Sequence, residues 1–241
     1  MSERRVGSDP LLPWLIFTGL TFFAVILRWY FGLIERMISG DRTYISSIIV
    51  VFYIASSLHC LWRILAISRE GTAAQKTGQR VVQDGTNGAD GTGLVALHIR
   101  DLIAKAAKQG SRRLDQTLLL RVLADRLRGS NAFGTFASDT LMKLGLLGTI
   151  IGFIMMLAPI GGLDPENKAA VRSSMSLMSD GMAVAMYTTL AGLAASILLK
   201  IQYSILDSAT SKIFAFAVDL TEVHVVSVLE SPLKEGGAPA E

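Results

Sequence analysis

Four apolar runs limit what this chain can fold into: 11–34 (LLPWLIFTGLTFFAVILRWYFGLI), 43–67 (TYISSIIVVFYIASSLHCLWRILAI), 141–160 and 181–201. A helix needs about 20 largely apolar residues to cross a bilayer. Inside lipid, backbone polar groups are satisfied only within helices or closed barrels. Each run is long enough, and none alternates as a barrel strand would. Apolar residues make up 51% of the chain and charged residues 18%, more apolar surface than a soluble domain of 241 residues hides. The expectation is an all-α integral membrane protein with four transmembrane helices. The first run reads as a span rather than a cleavable leader. It is long, lacks a small-residue cleavage site, and ends in Trp29-Tyr30-Phe31, an interfacial belt beside a snorkelling Arg28.

The basic residues orient these spans. Lys and Arg recur from Arg69 to Arg128, whereas 35–42 and 161–180 are mixed or acidic. Basic loops stay inside, so 68–140 is expected in the cytoplasm. Four crossings would then leave both termini cytoplasmic. The net charge of +3 is accounted for as a topology signal and gives no support to a nucleic-acid partner.

Four regions result. Residues 1–67 hold an N-terminal tip and two outer spans. Residues 68–140 form a cytoplasmic loop, with a Gly- and Asp-rich flexible link over 71–93 and helices from Leu94 and over about 113–128. Residues 141–201 hold two inner spans. In 202–241, Ile201, Ile205, Ala209, Ile213, Phe216, Leu220 and Val223 recur at helical steps, which extends the last span as an amphipathic helix before a disordered tail. Helical extensions of spans three and four are thus expected in the cytoplasm.

Spans three and four differ from the first two. Gly145, Gly148, Thr149 and Gly152 share one helix face, as do Ala185, Thr189, Gly192 and Ser196. Small residues let helices approach closely in lipid, so both faces are candidates for helix packing, against each other or against a partner. Thr149 and Thr189 fall near mid-depth and are candidates for an ion pathway. Thr188 is a third candidate, able to add a ligand for Na⁺, although it points about 100° away from Thr189. A threonine can equally bond its own helix backbone. Neither span carries an acid or lysine in its core, so a proton relay here would need a carboxylate from elsewhere.

The motif LGLLGTIIGF followed by SDGMAVAMYTTLAGLAAS resembles the last two spans of the MotA/TolQ/ExbB family. Leu144 to Thr149 match its Leu-Gly-Leu-x-Gly-Thr motif, and Thr189 and Gly192 match a second, with Thr188 where alanine is usual. The likeness covers roughly 113–205. It implies a stator subunit assembled as a homopentamer around a dimer of a single-span, MotB/TolR/ExbD-like partner bearing one membrane Asp. Ion flow at that interface would drive rotation or force on the envelope. The resemblance further implies that Thr149 and Thr189 face the carried acid while the glycines pack beside the partner helices. Four spans suit the MotA branch, and the span-three motif is closer to TolQ and ExbB.

The remaining candidates have simpler readings. His59 and Arg63, one turn apart, read as an interfacial pair reaching toward headgroups. Cys60 is the single cysteine and reads as a small core residue. Asp164 and Glu166 read as a solvated outer turn. No nucleotide-binding loop, catalytic triad or metal-ligand spacing stands in the sequence, so neither an enzyme nor a cofactor is expected. A passive membrane scaffold is the rival reading.

Overall fold

The computed structural model describes residues 11–30, 44–85, 91–109, 116–129, 131–162 and 167–227. Among them every regular element is helical: α1 (Leu11–Tyr30), α2 (Ile45–Asp84), α3 (Leu94–Gln109), α4 (Thr117–Arg128), α5 (Asn131–Leu157) with a 3₁₀ turn over Ala158–Gly162, and α6 (Lys168–Leu220) with a π-helical turn over Thr221–Val226.

Three of these helices, not four, are long and apolar enough to cross a membrane: Ile45–Gln83, Ala132–Gly161 and Lys168–Val226. This corrects both the four-helix fold and the reading of the chain as a four-span family member. In the first run the apolar helix among the described residues is Leu11–Thr21. Hydropathy summed over 11–34 also counted apolar residues on the far side of Arg28. With three crossings, the even-number argument that placed both termini in the cytoplasm no longer holds.

The chain divides into two compact units, an apolar one of Pro13–Leu61 and Ala132–Ser204 and a polar one containing Trp62–Asn131 and Ile205–Glu241. Within the polar unit α2 continues as helix to Asp84, through most of the stretch expected as a flexible link. Small residues explain the continuity. A Cβ on Gly71 would lie 3.4 Å from Ile213 Cδ1, and one on Gly78 would lie 2.8 Å from the Phe216 ring, so α6 lies close along that stretch. The Glu70 carboxylate accepts the Leu94 N–H at 3.0 Å. It thereby caps α3, where a negative charge offsets the helix dipole. At the other end of the loop α4 closes on Gly129 at φ 46°, whose N–H donates to Asp125 O.

The helix expected after Ile201 continues to Leu220, but its buried face differs from the expected one: Ile201 is exposed, Ile205 and Phe216 are half-buried, and Gln202, Leu206 and Ala217 are buried instead. Ala209, Ile213, Ala217 and Leu220 are buried, but Val223 is exposed and Val225 and Val226 are buried instead. A π turn adds a residue to the turn and rotates the residues beyond it. Val226 then packs with Leu102, beside Ala106 and Leu119.

In the apolar unit α6 begins well before residue 181. Asn167 Oδ1 accepts the N–H groups of Ala169 and Ala170 at 3.1 and 3.3 Å, an N-cap that starts the helix at Lys168. Asp164 and Glu166 lie outside the described residues. Helix α5 begins at Asn131, ahead of the span expected over 141–160, and Gly134 sits inside it.

Candidate functional site

The two small-residue faces zip onto each other. Helices α5 and α6 run antiparallel, and their contacts descend in register. Tyr203 lies on Gly134, Ser196 meets Ser138, Gly192 meets Gly145 and Leu141, Thr188 covers Gly148, and Ala185 and Gly181 meet Gly152. The backbones nearly touch. A Cβ on Gly192 would stand 2.7 Å from the Gly145 Cα and 2.9 Å from Leu141 O. One on Gly152 would stand 2.6 Å from Ala185 N and 2.7 Å from Gly181 O. Any side chain would drive the helices apart, which is why glycine stands where lipid exposure would favour leucine.

The glycines, Ala185 and Ser196 are therefore taken up in packing α5 against α6 of the same chain. The three threonines occupy different positions around that seam. Thr188 is fully buried over Gly148, and its hydroxyl donates to Val184 O at 2.9 Å. Thr149 and Thr189 are only partly buried. One residue past the Gly148–Thr188 contact, each helix has turned by 100°, and because the helices run in opposite directions both side chains turn toward the same flank. Thr149 and Thr189 therefore share one edge of the seam.

Both hydroxyls donate to their own helix. Thr149 donates to Leu146 O at 2.5 Å and Thr189 to Ala185 O at 3.0 Å, with the Gly145 carbonyl a second acceptor for Thr189 at 3.4 Å. A hydroxyl has one donor and two acceptor lone pairs. With the proton turned back, each presents lone pairs outward, ready to accept a bond from water or a protonated carboxyl. To serve a carboxylate instead, it must rotate its proton away from the helix.

Polar pairs continue along the seam. Ser138 Oγ lies 3.0 Å from Ser196 Oγ, and both are buried. His59 Nδ1 lies 2.8 Å from the Tyr203 hydroxyl, and its ring stands edge-on to Phe133 with centroids 4.8 Å apart. Gln202, fully buried, donates to the Tyr53 hydroxyl at 3.3 Å. His59, half-exposed, thus bonds Tyr203 within the apolar unit. Arg63 belongs to the polar unit, where its guanidinium donates to Arg128 O at 3.3 Å and caps the C-terminus of α4. Tyr203, Gln202 and Ser138 went unnoticed in the sequence. The usable signal was the seven-residue spacing of Thr189, Ser196 and Tyr203.

Cys60 is a buried free thiol. Among the described residues no cluster of His, Cys, Asp and Glu could hold a metal ion.

Residues 86–216, more than half of the chain and all of the α5–α6 seam, match the family described as the MotA/TolQ/ExbB proton channel family. No curated protein and no solved structure matches the chain.

Proposed function

The chain belongs to the MotA/TolQ/ExbB proton channel family, and from that premise we propose that it conducts H⁺ at its interface with a single-span partner bearing a membrane Asp. At the coarser level it is a multi-pass membrane protein of the channel and stator class, and the members of that family are not catalytic enzymes. Our reading is that five copies surround a dimer of the partner in a bacterial inner membrane, and that ion flow becomes rotation or force on the envelope.

One observation carries this reading: Thr149 and Thr189 share a flank that the chain's own helices leave partly open, beside a seam with no acid of its own between Leu144 and Leu157 or between Gly181 and Leu199. A passive scaffold needs the glycines but has no use for paired hydroxyls on one flank. A carboxylate carried past that flank finds donors when charged and acceptors when protonated. The glycines contribute by bringing the two backbones close enough for one acid to reach both hydroxyls. Thr188, sealed over Gly148 and bonded to its own helix, supports packing and gives no support to a Na⁺ ligand. The apolar outer faces of α5 and α6, including Leu146, Ile154, Met186 and Ile197, suit contact with lipid and with neighbouring copies. The basic stretch from Arg69 to Arg128 favours a cytoplasmic side for the polar unit.

The test is copurification from native membranes, then subunit counting by native mass and reconstitution. Five copies with a co-eluting single-span protein, and proton uptake by liposomes holding the complex, are expected. A complex without such a partner, or without proton uptake, would return the chain to the scaffold reading.

A further inference from the structure

We propose that Arg63 and Arg128 hold the phosphate of an anionic phospholipid at the polar end of the α2 membrane crossing. The site stands apart from the Thr149–Thr189 flank and does not depend on ion conduction.

Its position follows from the chain itself. Helix α2 leaves the apolar unit between Leu61 and Trp62, and α5 passes into that unit at Ala132, shortly after α4 has ended at Arg128. Trp62, Arg63, Arg128 and Gly129 are therefore the residues of the polar unit that lie beside these two crossings in sequence. Trp62 is 68% exposed, an indole placed where headgroups begin. It continues a stripe of exposed apolar residues on one face of α2: Val51, Leu58, Trp62 and Leu65. An acyl chain can lie along that stripe. Arg63 is turned about 100° from Trp62 around the helix and borders it.

The guanidinium is fixed before a lipid arrives. It is seated on Gly129, where φ is 46° and a Cβ would overlap it. It donates to the Arg128 carbonyl at 3.3 Å, a bond that uses only part of its donor fork. Its Nε is buried with no acceptor among the described residues. A buried donor without an acceptor is unfavourable, and a half-buried cation gains most from an anion that brings several oxygens. Phosphate fits the planar guanidinium in that way. The surroundings add to the attraction. Arg126 and Arg128 stand in the last turn of α4, both exposed, with Asp125 the one acid among these residues. An arginine that merely snorkels has no fixed place, whereas Gly129 and the α4 carbonyl hold this charge at one point. The apolar stripe beside it decides between sources of phosphate: a soluble phosphate has no use for Trp62 and Leu65, and a lipid covers both.

The test is native mass spectrometry of the full chain purified in detergent, titrated with phosphatidylglycerol, with phosphatidylcholine and with inorganic phosphate. Phosphatidylglycerol is expected to bind, and phosphatidylcholine to bind about five-fold more weakly, while excess inorganic phosphate leaves the bound lipid in place. Arg63→Gln and Arg128→Gln should each weaken phosphatidylglycerol binding about five-fold, the share of one basic residue beside an anionic headgroup. Lys76→Gln, which removes an exposed cation farther along α2, should leave binding unchanged. Equal losses in all three variants would make the attraction diffuse and overturn the site. Wild-type binding in both arginine variants, or equal binding of the two lipids, would overturn it too. Displacement by inorganic phosphate would assign the arginines to a soluble anion and overturn the lipid. Should Arg63→Gln not fold, Arg128→Gln decides: a five-fold loss supports the site, and no loss overturns it. Lipid retention is read without proton flux, so a complex that conducts nothing removes the channel reading and leaves this site standing.

Discussion

Gly192 and Gly145 face each other backbone to backbone, with room between them for no side chain: a Cβ on Gly192 would lie 2.7 Å from the Gly145 Cα and 3.0 Å from its nitrogen. The cost of adding a methyl should therefore depend on what it meets. Gly192→Ala and Gly152→Ala push against backbone and should each destabilise the helix pair by about 1–3 kcal/mol, the range for overpacking. Gly145→Ala meets atoms at 3.1–3.2 Å and should cost less. Gly161→Ala, with nothing within 4 Å, should be neutral within the chain. Thermal unfolding of the detergent-solubilised protein gives the order, and equal losses at all four positions would remove the close approach from the account.

His98 gives the polar unit a pH dependence with a defined sign. It is buried on α3, and burial lowers its pKa below the ordinary histidine value, with Asp101 opposing the shift in part. The folded state therefore holds His98 neutral, while the unfolded chain takes up a proton near pH 6.5. The stability it supports is fully present above that pH and declines as pH falls through and below it. Denaturation midpoints measured from pH 8 to pH 5 should fall on the acid side, and His98→Leu should flatten that decline. An unchanged slope in the variant would assign the acid sensitivity to other groups.

The Glu70 carboxylate holds the first turn of α3 through the Leu94 N–H. Glu70→Ala should lower the stability of the polar unit by about 0.5–2 kcal/mol, the usual range for losing an N-cap. Hydrogen exchange at the start of α3 should quicken before the rest of the unit responds. Exchange that rises evenly everywhere would mean that Glu70 does not cap this helix locally.

Cys60 is the single cysteine and is buried, so single-cysteine reporters can be added without removing it. A cysteine at the exposed Gln79 should react with a membrane-impermeant maleimide only from the cytoplasmic side, and one at Asn167 only from the other side. Labelling of both from one side would contradict an odd number of helix steps between them.

The sequence made the seam legible because small residues at helical spacing have few uses in lipid. It did not show which helix each face meets. Gly145, Gly148 and Gly152 pack on the chain's own α6, and only the antiparallel register shows that Thr149 and Thr189 turn to a common flank. The first apolar run was read as a span from hydropathy summed over 11–34, a sum that runs on past Arg28. The link over 71–93 was read from its Gly and Asp content, yet Gly71 and Gly78 lie in α2 where α6 passes close by. The bond of His59 to Tyr203 was hidden because the two stand 144 residues apart in sequence.

The central claim is that the Thr149–Thr189 flank handles the proton. Its most direct test is proton flux through the partner-bound Thr149→Val, Thr189→Val double variant, with Thr188→Val as control. Valine keeps the shape and removes the hydroxyl, so a passing carboxylate loses bonds worth about 1.5–3 kcal/mol each. The account predicts that flux in the double variant falls at least ten-fold with assembly intact, while Thr188→Val, buried over Gly148, conducts as the wild type does. Wild-type flux in the double variant would contradict the account and return both threonines to helix packing.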